Sequence, residues 1–176
     1  DALTEEEYEH VKSHVRLTRT FLEQIHFSGE FRQVPEIAAT HHERLDGSGY
    51  PEGLKDHEIP PGGRILAIAD FFDALTSKRH YRERMDFRKV IGLLEEQSGK
   101  KFDPHFVACF KKVSLRQLVE TLELEHREQL NPADLASLSA VTLGDLIRVL
   151  RSGSESPDWL EIFFKYYYKK YTEGNS

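Results

Sequence analysis

The chain has little that would staple it covalently or anchor it in a bilayer. Cysteine occurs once, at Cys109, which excludes an internal disulfide and points to a reducing compartment. No apolar run reaches transmembrane length and no signal peptide is legible, so a soluble cytoplasmic protein with no integral membrane segment is the expectation. No stretch of useful length reads as a strand, and no internal repeat is visible. Positive charge is in deficit: 24 Lys and Arg against 30 Asp and Glu leave a net charge of −6, the opposite of the basic footprint of a nucleic-acid binder. An initiator methionine is also missing. The chain starts at Asp1 and enters a helical pattern almost at once, which reads as a piece of something longer.

What is present suits a helical, water-facing fold. The 176 residues are 39% hydrophobic, enough for a core, and 31% charged. Thr4 and Glu7 form a capping box, and Tyr8, Val11, His14, Val15, Thr18, Leu22 and Ile25 recur at helical spacing. A helix over about Thr4–Gln24 follows, with His14 on its apolar face. Pro35 opens a second helix expected to end near Glu43. Residues 44–63 carry Gly47, Gly49, Pro51, Gly53, Pro60, Pro61, Gly62 and Gly63, the composition of a long ordered loop without regular structure, and such loops are usually functional. Arg64–Ser77 is apolar on most faces and predicts a buried central helix. Asp70 and Asp73 inside it need partners, because an unpaired buried carboxylate is costly. An arginine is the expected partner of Asp73; for Asp70 a metal and a structural partner stand level. Further helices are expected over Asp86–Ser98, from Pro104 to about Val113, from Ser114 to about Gln129, after Pro132, and over Thr142–Leu150. The last helix, after Ser156 and Pro157, is rich in aromatics from Trp159 to Tyr171. Its face could serve as core, dimer contact or membrane-surface helix.

The chemistry concentrates in His41, His42, Glu43 and the turn through Gly47, Gly49, Tyr50 and Pro51. Imidazole is a common ligand for iron, zinc and similar metals. Neighbouring histidines in a helix point about 100° apart and can serve two metals of one cluster. The plain alternative is a helix end with two solvated histidines. His14, His41, His42 and Asp70 together come from three predicted helices and suit a metal pair. Such a pair can activate water and stabilise an in-line phosphoryl displacement. Four side chains fall short of the ligands two metals take. Lys78, Arg79, Arg82 and Arg84 follow, a cluster fit for phosphate groups or simply for a helix C-terminus.

The run His41–Tyr50 with Pro51, the segment Arg64–Asp70, and Asp73-Ala74-Leu75-Thr76-Ser77 followed by Arg79, Tyr81 and Arg82 resemble the HD-GYP family. This is a branch of the HD superfamily of metal-dependent phosphohydrolases. Leu3-Thr4-Glu5-Glu6-Glu7 with His14 resembles that family's segment after its HD motif. The resemblance covers about residues 1–113, an HD-GYP-like C-terminal portion, and leaves 114–176 as a helical extension for dimerisation or interaction. It implies an all-α helical bundle that hydrolyses cyclic di-GMP or a related cyclic dinucleotide at a bi- or trinuclear iron or manganese centre. By the same resemblance His14, His41, His42 and Asp70 are metal ligands, Arg79, Arg82 and Tyr50 meet substrate, and Gly49, Tyr50 and Pro51 form the loop that names the family. No His-Asp dipeptide occurs in the chain, so about half of the family's ligands are absent from it and weak or no turnover by this chain alone is expected. The alternative expectation is an inactive module that docks GGDEF-domain or other signalling partners through residues 44–63. A homodimer is a further expectation.

Overall fold

Thr4 caps the first helix: the Glu7 amide donates to Thr4 Oγ1 at 3.2 Å, and the Thr4 amide donates to the Glu7 carboxylate at 2.8 Å. Two of the orphan amides at a helix start are thereby satisfied, and α1 runs Glu5–Glu23. The computed structural model of the chain describes residues 4–77, 84–153 and 156–168. Over these residues α1 is followed by α2 (Val34–Ala39), α3 (Pro61–Thr76), α4 (Phe87–Gln97), α5 (Pro104–Phe110), α6 (Leu115–Leu122), α7 (Pro132–Leu138), α8 (Leu143–Ser152) and α9 (Asp158–Tyr167). Short 3₁₀ turns lie at Gly29–Gln33, Asp56–Glu58 and Leu124–Gln129. The fold is all-α: strand pairing among the described residues is confined to isolated bridges. No helix among them is long and apolar enough to cross a membrane.

Two units form along the chain, residues 1–74 with 92–107 and residues 75–91 with 108–176. They interleave in sequence.

In the first unit α1 packs against α2, and Val15 is the point at which α1 is fully buried. The second helix is shorter than its sequence suggests. It stops at Ala39, because Thr40 turns its hydroxyl back onto the carbonyls of Glu36 and Ile37 and its amide onto Ile37. The loop expected to reach Gly63 also ends early, at Pro60. Pro61 takes the first position of α3, where its missing N–H costs nothing. Gly62 and Gly63 form the next two positions because there is no room for more: a Cβ on Gly62 would lie 2.7 Å from Ile37 Cδ1, and one on Gly63 would strike the Thr40 hydroxyl. α3 is buried along one stripe, Ala67, Ile68, Phe72 and Thr76, and not on all sides; Ile65 remains 51% exposed. Asp73 is exposed on this helix, where full burial was expected.

Arg64 fastens the start of α3 to the start of α5. Its Nη1 donates to Asp103 Oδ2 at 2.9 Å and its Nε to the Ile59 carbonyl at 2.8 Å. Asp103 in turn accepts the His105 amide at 2.8 Å, capping α5. Burial alone would raise the Asp103 pKa, but the Arg64 bond and the amides of His105 and Phe106 outweigh it and hold the carboxyl below its ordinary value. A depressed folded pKa adds stability above the unfolded pKa and loses it as pH falls through the folded one. Asp103→Asn keeps the cap and removes the charge. It is expected to cost about 1–2 kcal/mol at neutral pH. In urea unfolding its deficit should shrink as the pH falls below the ordinary aspartate pKa of about 3.9. A deficit that does not change with pH refutes the assignment.

The second unit is built by paired caps and an aromatic core. Ser114 and Thr142 each form a capping box, with Gln117 and Asp145 respectively. The two starts bond to one another's approach: Leu115 N–H to Val141 O at 2.8 Å and Leu143 N–H to Val113 O at 2.9 Å. The aromatic helix α9 is core. Phe163, Tyr166 and Tyr167 are buried, and Phe163 and Tyr167 each meet Phe87 edge-on at 4.9 Å. α6 ends at Leu122, short of the expected Gln129. The Leu122 carbonyl accepts Arg84 Nη2 at 3.1 Å, and buried Glu123 lies 2.9 Å from Arg84 Nη1. Arg84 therefore ties the unit together, a different role from the phosphate contact its sequence neighbourhood suggests.

Candidate metal centre

The residues just beyond α2 form a tight turn that places two imidazoles side by side. The Glu43 amide donates to the Thr40 carbonyl at 3.0 Å, so His41 and His42 sit in the turn and not in the helix. This corrects the helical expectation of rings splayed about 100° apart: the two ring centroids are 4.0 Å apart and tilted by 42°. His14 reaches the same point from α1, its ring 5.6 Å from His41 and 5.1 Å from His42. His14 is exposed at this edge and not buried among apolar neighbours. One nitrogen from each ring lies within 4.8 Å of the others.

Local hydrogen bonds assign the tautomers. His41 Nδ1–H donates to the Ala38 carbonyl at 2.6 Å, and His14 Nδ1–H donates to the Val11 carbonyl. Each bond leaves Nε2 with its lone pair outward, the arrangement that prepares a histidine to ligate. His42 is driven neutral. Burial first, then the neighbouring His41, His14 and Arg44, push its pKa down to about 3. Three imidazoles converging on one point fit a divalent metal. Asp70, from α3, lies beside this group and outside it: its Oδ2 is 3.6 Å from His42 Nδ1, and its side chain is 39% exposed.

The loop of residues 44–60 is held under the cluster by a carboxylate. Glu43 is 1% exposed, and its two oxygens accept the amides of Glu52 at 2.8 Å and Leu54 at 3.0 Å. Such bonds are what make a buried carboxylate tolerable. Arg44 Nη1 donates to the carbonyls of His41 and Glu43 at 3.1 and 2.8 Å, and its guanidinium lies 5.3 Å from the Phe102 ring. Burial depresses the Arg44 pKa, with Asp70 the first of the charges that offset it. Gly49 passes against the backbone of residues 42–44, and the Tyr50 amide donates to the His42 carbonyl at 3.3 Å. The Tyr50–Pro51 peptide is cis. These contacts lay Tyr50 on His42, ring centroids 4.6 Å apart. Burial, chiefly, pushes the Tyr50 pKa up to about 12, so its hydroxyl keeps its proton.

Of the residues singled out in the sequence, His14, His41, His42 and Tyr50 meet, Asp70 adjoins them, and Gly49 and Pro51 frame Tyr50. Arg79 and Arg82 lie outside the described residues. Reading the sequence passed over Glu43 as an anchor, and Tyr8 and Lys12 as neighbours of Tyr50. The signal for the last two is their i, i+4 spacing on α1.

An all-α fold with three histidines converging at a turn beyond a helix defines a helical domain with a candidate metal site. The chain belongs to the HD domain family, which matches it over residues 1–106, and its motif loop places it in the HD-GYP branch. It is 43% identical over 111 residues to a cyclic di-GMP phosphodiesterase of Thermotoga maritima, an alignment covering 63% of this chain and 30% of that protein. It is 44% identical over 106 residues to a cyclic di-GMP phosphodiesterase response regulator of Xanthomonas campestris, covering 60% and 28%. It is 37% identical over 110 residues to a 3'3'-cGAMP-specific phosphodiesterase of Vibrio cholerae, covering 62% and 23%. The chain thus spans less than a third of the length of these curated relatives.

Proposed function

We propose that this chain carries metal-binding residues of a phosphodiesterase acting on cyclic di-GMP or a related cyclic dinucleotide. The carrying observation is the convergence of three imidazole nitrogens within 4.8 Å of one another. The names of the relatives supply the substrate class. His14, His41 and His42 would hold the metal and Asp70 would add a carboxylate from α3. This donor set suits iron or manganese in a bi- or trinuclear centre. Metals so held would supply an activated water and charge stabilisation for in-line displacement at phosphorus.

The chain's own groups prepare that chemistry. The carbonyls of Ala38 and Val11 keep His41 and His14 from rotating away. Tyr50 stays protonated and can donate to a phosphate oxygen without repelling it. Arg79 and Arg82 are proposed to pair with substrate phosphates. Each metal takes roughly four to six ligands, so substrate, solvent or other parts of the intact protein complete the set.

The test loads the intact protein with iron or manganese under reducing conditions and follows metal content and cyclic di-GMP together. Bound metal with conversion to a linear dinucleotide, both lost to a chelator, is the expected result. A protein that takes up no metal and turns over nothing overturns the reading. It would then favour a second one, an interaction module for GGDEF-domain or other signalling partners. The observation behind that second reading is the charged turn Lys55–Glu58, exposed on a loop otherwise anchored by Glu43. Leu17 and Phe21 on α1, with Ile25 just beyond its end, are exposed apolar side chains that similarly support a homodimer or other protein contact.

A further inference from the structure

A cyclic dinucleotide has two phosphodiesters and two purines, and only one diester can lie at the histidines. The other nucleotide must rest against some neighbouring surface. Beyond the histidines the rings continue in one direction: His42 meets Tyr50 at 4.6 Å, and Tyr50 meets Tyr8 at 6.4 Å with planes at 73°. Tyr8 stands on the first turns of α1 and is 46% exposed, so part of its ring faces solvent. Lys12, one turn further on, holds its ammonium 4.3 Å from the Tyr8 centroid and 5.8 Å from that of Tyr50. The ammonium has three donors, and Glu9 Oε1 takes one at 2.6 Å.

An exposed aromatic face takes a purine by stacking, and an adjacent ammonium takes a phosphate oxygen. Tyr8 and Lys12 offer both within one helical turn, on the helix that also supplies His14. Neither contributes to the core of α1, whose buried point is Val15.

We infer that Tyr8 and Lys12 form the subsite for the second nucleotide: the Tyr8 ring stacks on its purine, and Lys12 meets the phosphodiester that is not cleaved. This rests on the cyclic dinucleotide reading above and adds specificity-determining residues to it. The subsite favours purine cyclic dinucleotides over simple diesters of equal reactivity.

The test compares wild-type protein with Tyr8→Ala, Tyr8→Phe and Lys12→Ala in the metal-loaded intact protein. Two substrates are used: cyclic di-GMP, and bis(p-nitrophenyl) phosphate, which has a diester but no purine and no second phosphate. Titration calorimetry with cyclic di-GMP gives binding independently of turnover. Tyr8→Ala should weaken cyclic di-GMP binding and raise its KM on the order of ten-fold more than for the simple diester. Tyr8→Phe, which keeps the ring face, should stay near wild type. Lys12→Ala should raise KM for cyclic di-GMP alone and flatten its dependence on salt. Equal effects of Tyr8→Ala on both substrates, no effect on binding, or a Phe variant as impaired as the Ala variant overturns the inference while leaving the phosphodiesterase reading intact. A wild-type protein that neither binds nor cleaves cyclic di-GMP overturns that reading, and the inference with it.

Discussion

Replacing His14 or His42 by alanine is expected to lower metal affinity by more than about 100-fold, since even the groups that merely orient a metal-bound histidine are worth about 10–100-fold. The two substitutions test the same centre from different elements. His14 is exposed on α1, and its loss opens no cavity, so its effect on metal content cannot be attributed to unfolding. His42 is packed between Tyr50, His41 and His14. Its removal should cost some stability as well, visible as a lower thermal midpoint in the metal-free protein. His10→Ala is the control: it alters an exposed histidine four residues before His14 that does not belong to the converging group. Metal measured per chain after dialysis against a weak chelator should stay at the wild-type level in His10→Ala and fall toward background in the other two. Equal retention by all four proteins would show that the cluster does not bind metal.

The way these groups reach the cluster explains which parts of it a sequence can reveal. α1 is legible because its signals are local: a capping box at Thr4 and Glu7, and an apolar spacing that continues to Ile25. The motif run from His41 to Pro51 is legible by resemblance, because His41, His42, Gly49 and Tyr50 meet demands that few residue types satisfy. The end of α2 is not legible. Nothing in Val34–Glu43 forbids four more helical residues, and the helix stops because Thr40 bonds backward and Gly63 of α3 closes on it. That contact depends on tertiary packing, which overrides local propensity. For the same reason Gly62 and Gly63 read as loop but lie in α3: their small size serves close approach between helices and not a turn. Glu43 reads in the sequence only as a polar neighbour of two histidines. Its burial and its two amide partners nine and eleven residues away exist only once the loop has folded over it. Arg84 likewise reads as one of four clustered cations, and its partners come from 38 and 83 residues downstream.

Gly49→Ala is expected to be as damaging to the site as loss of a ligand, although Gly49 touches no metal. An added Cβ would lie 2.5 Å from three backbone atoms at once: the His42 carbonyl oxygen, the Glu43 Cα and the Arg44 nitrogen. No side-chain rotation relieves a clash with backbone, so either the loop lifts or the turn carrying His41 and His42 shifts. Overpacking of this kind costs on the order of 3 kcal/mol where the surroundings cannot yield. Here the surroundings are fixed on both sides, by Thr40 behind the turn and by the Glu43 carboxylate beneath the loop. The loop is the weaker partner, since lifting it breaks the Tyr50 amide bond to the His42 carbonyl and the two amide bonds to Glu43. Tyr50 would then leave the face of His42, and Glu43 would lie under the loop without its donors. The substitution should therefore lower thermal stability, weaken metal retention and abolish cyclic di-GMP turnover together. Gly53→Ala provides the comparison, because its nearest neighbour would be the Gly47 carbonyl at an ordinary 3.5 Å and its strain comes from a φ of +67° alone. It should lose about 1–2 kcal/mol of stability while keeping the histidines and Tyr50 in place and the metal bound. A Gly49→Ala protein that retained metal and turnover would show that the loop's close approach to the His41–His42 turn does not hold the site.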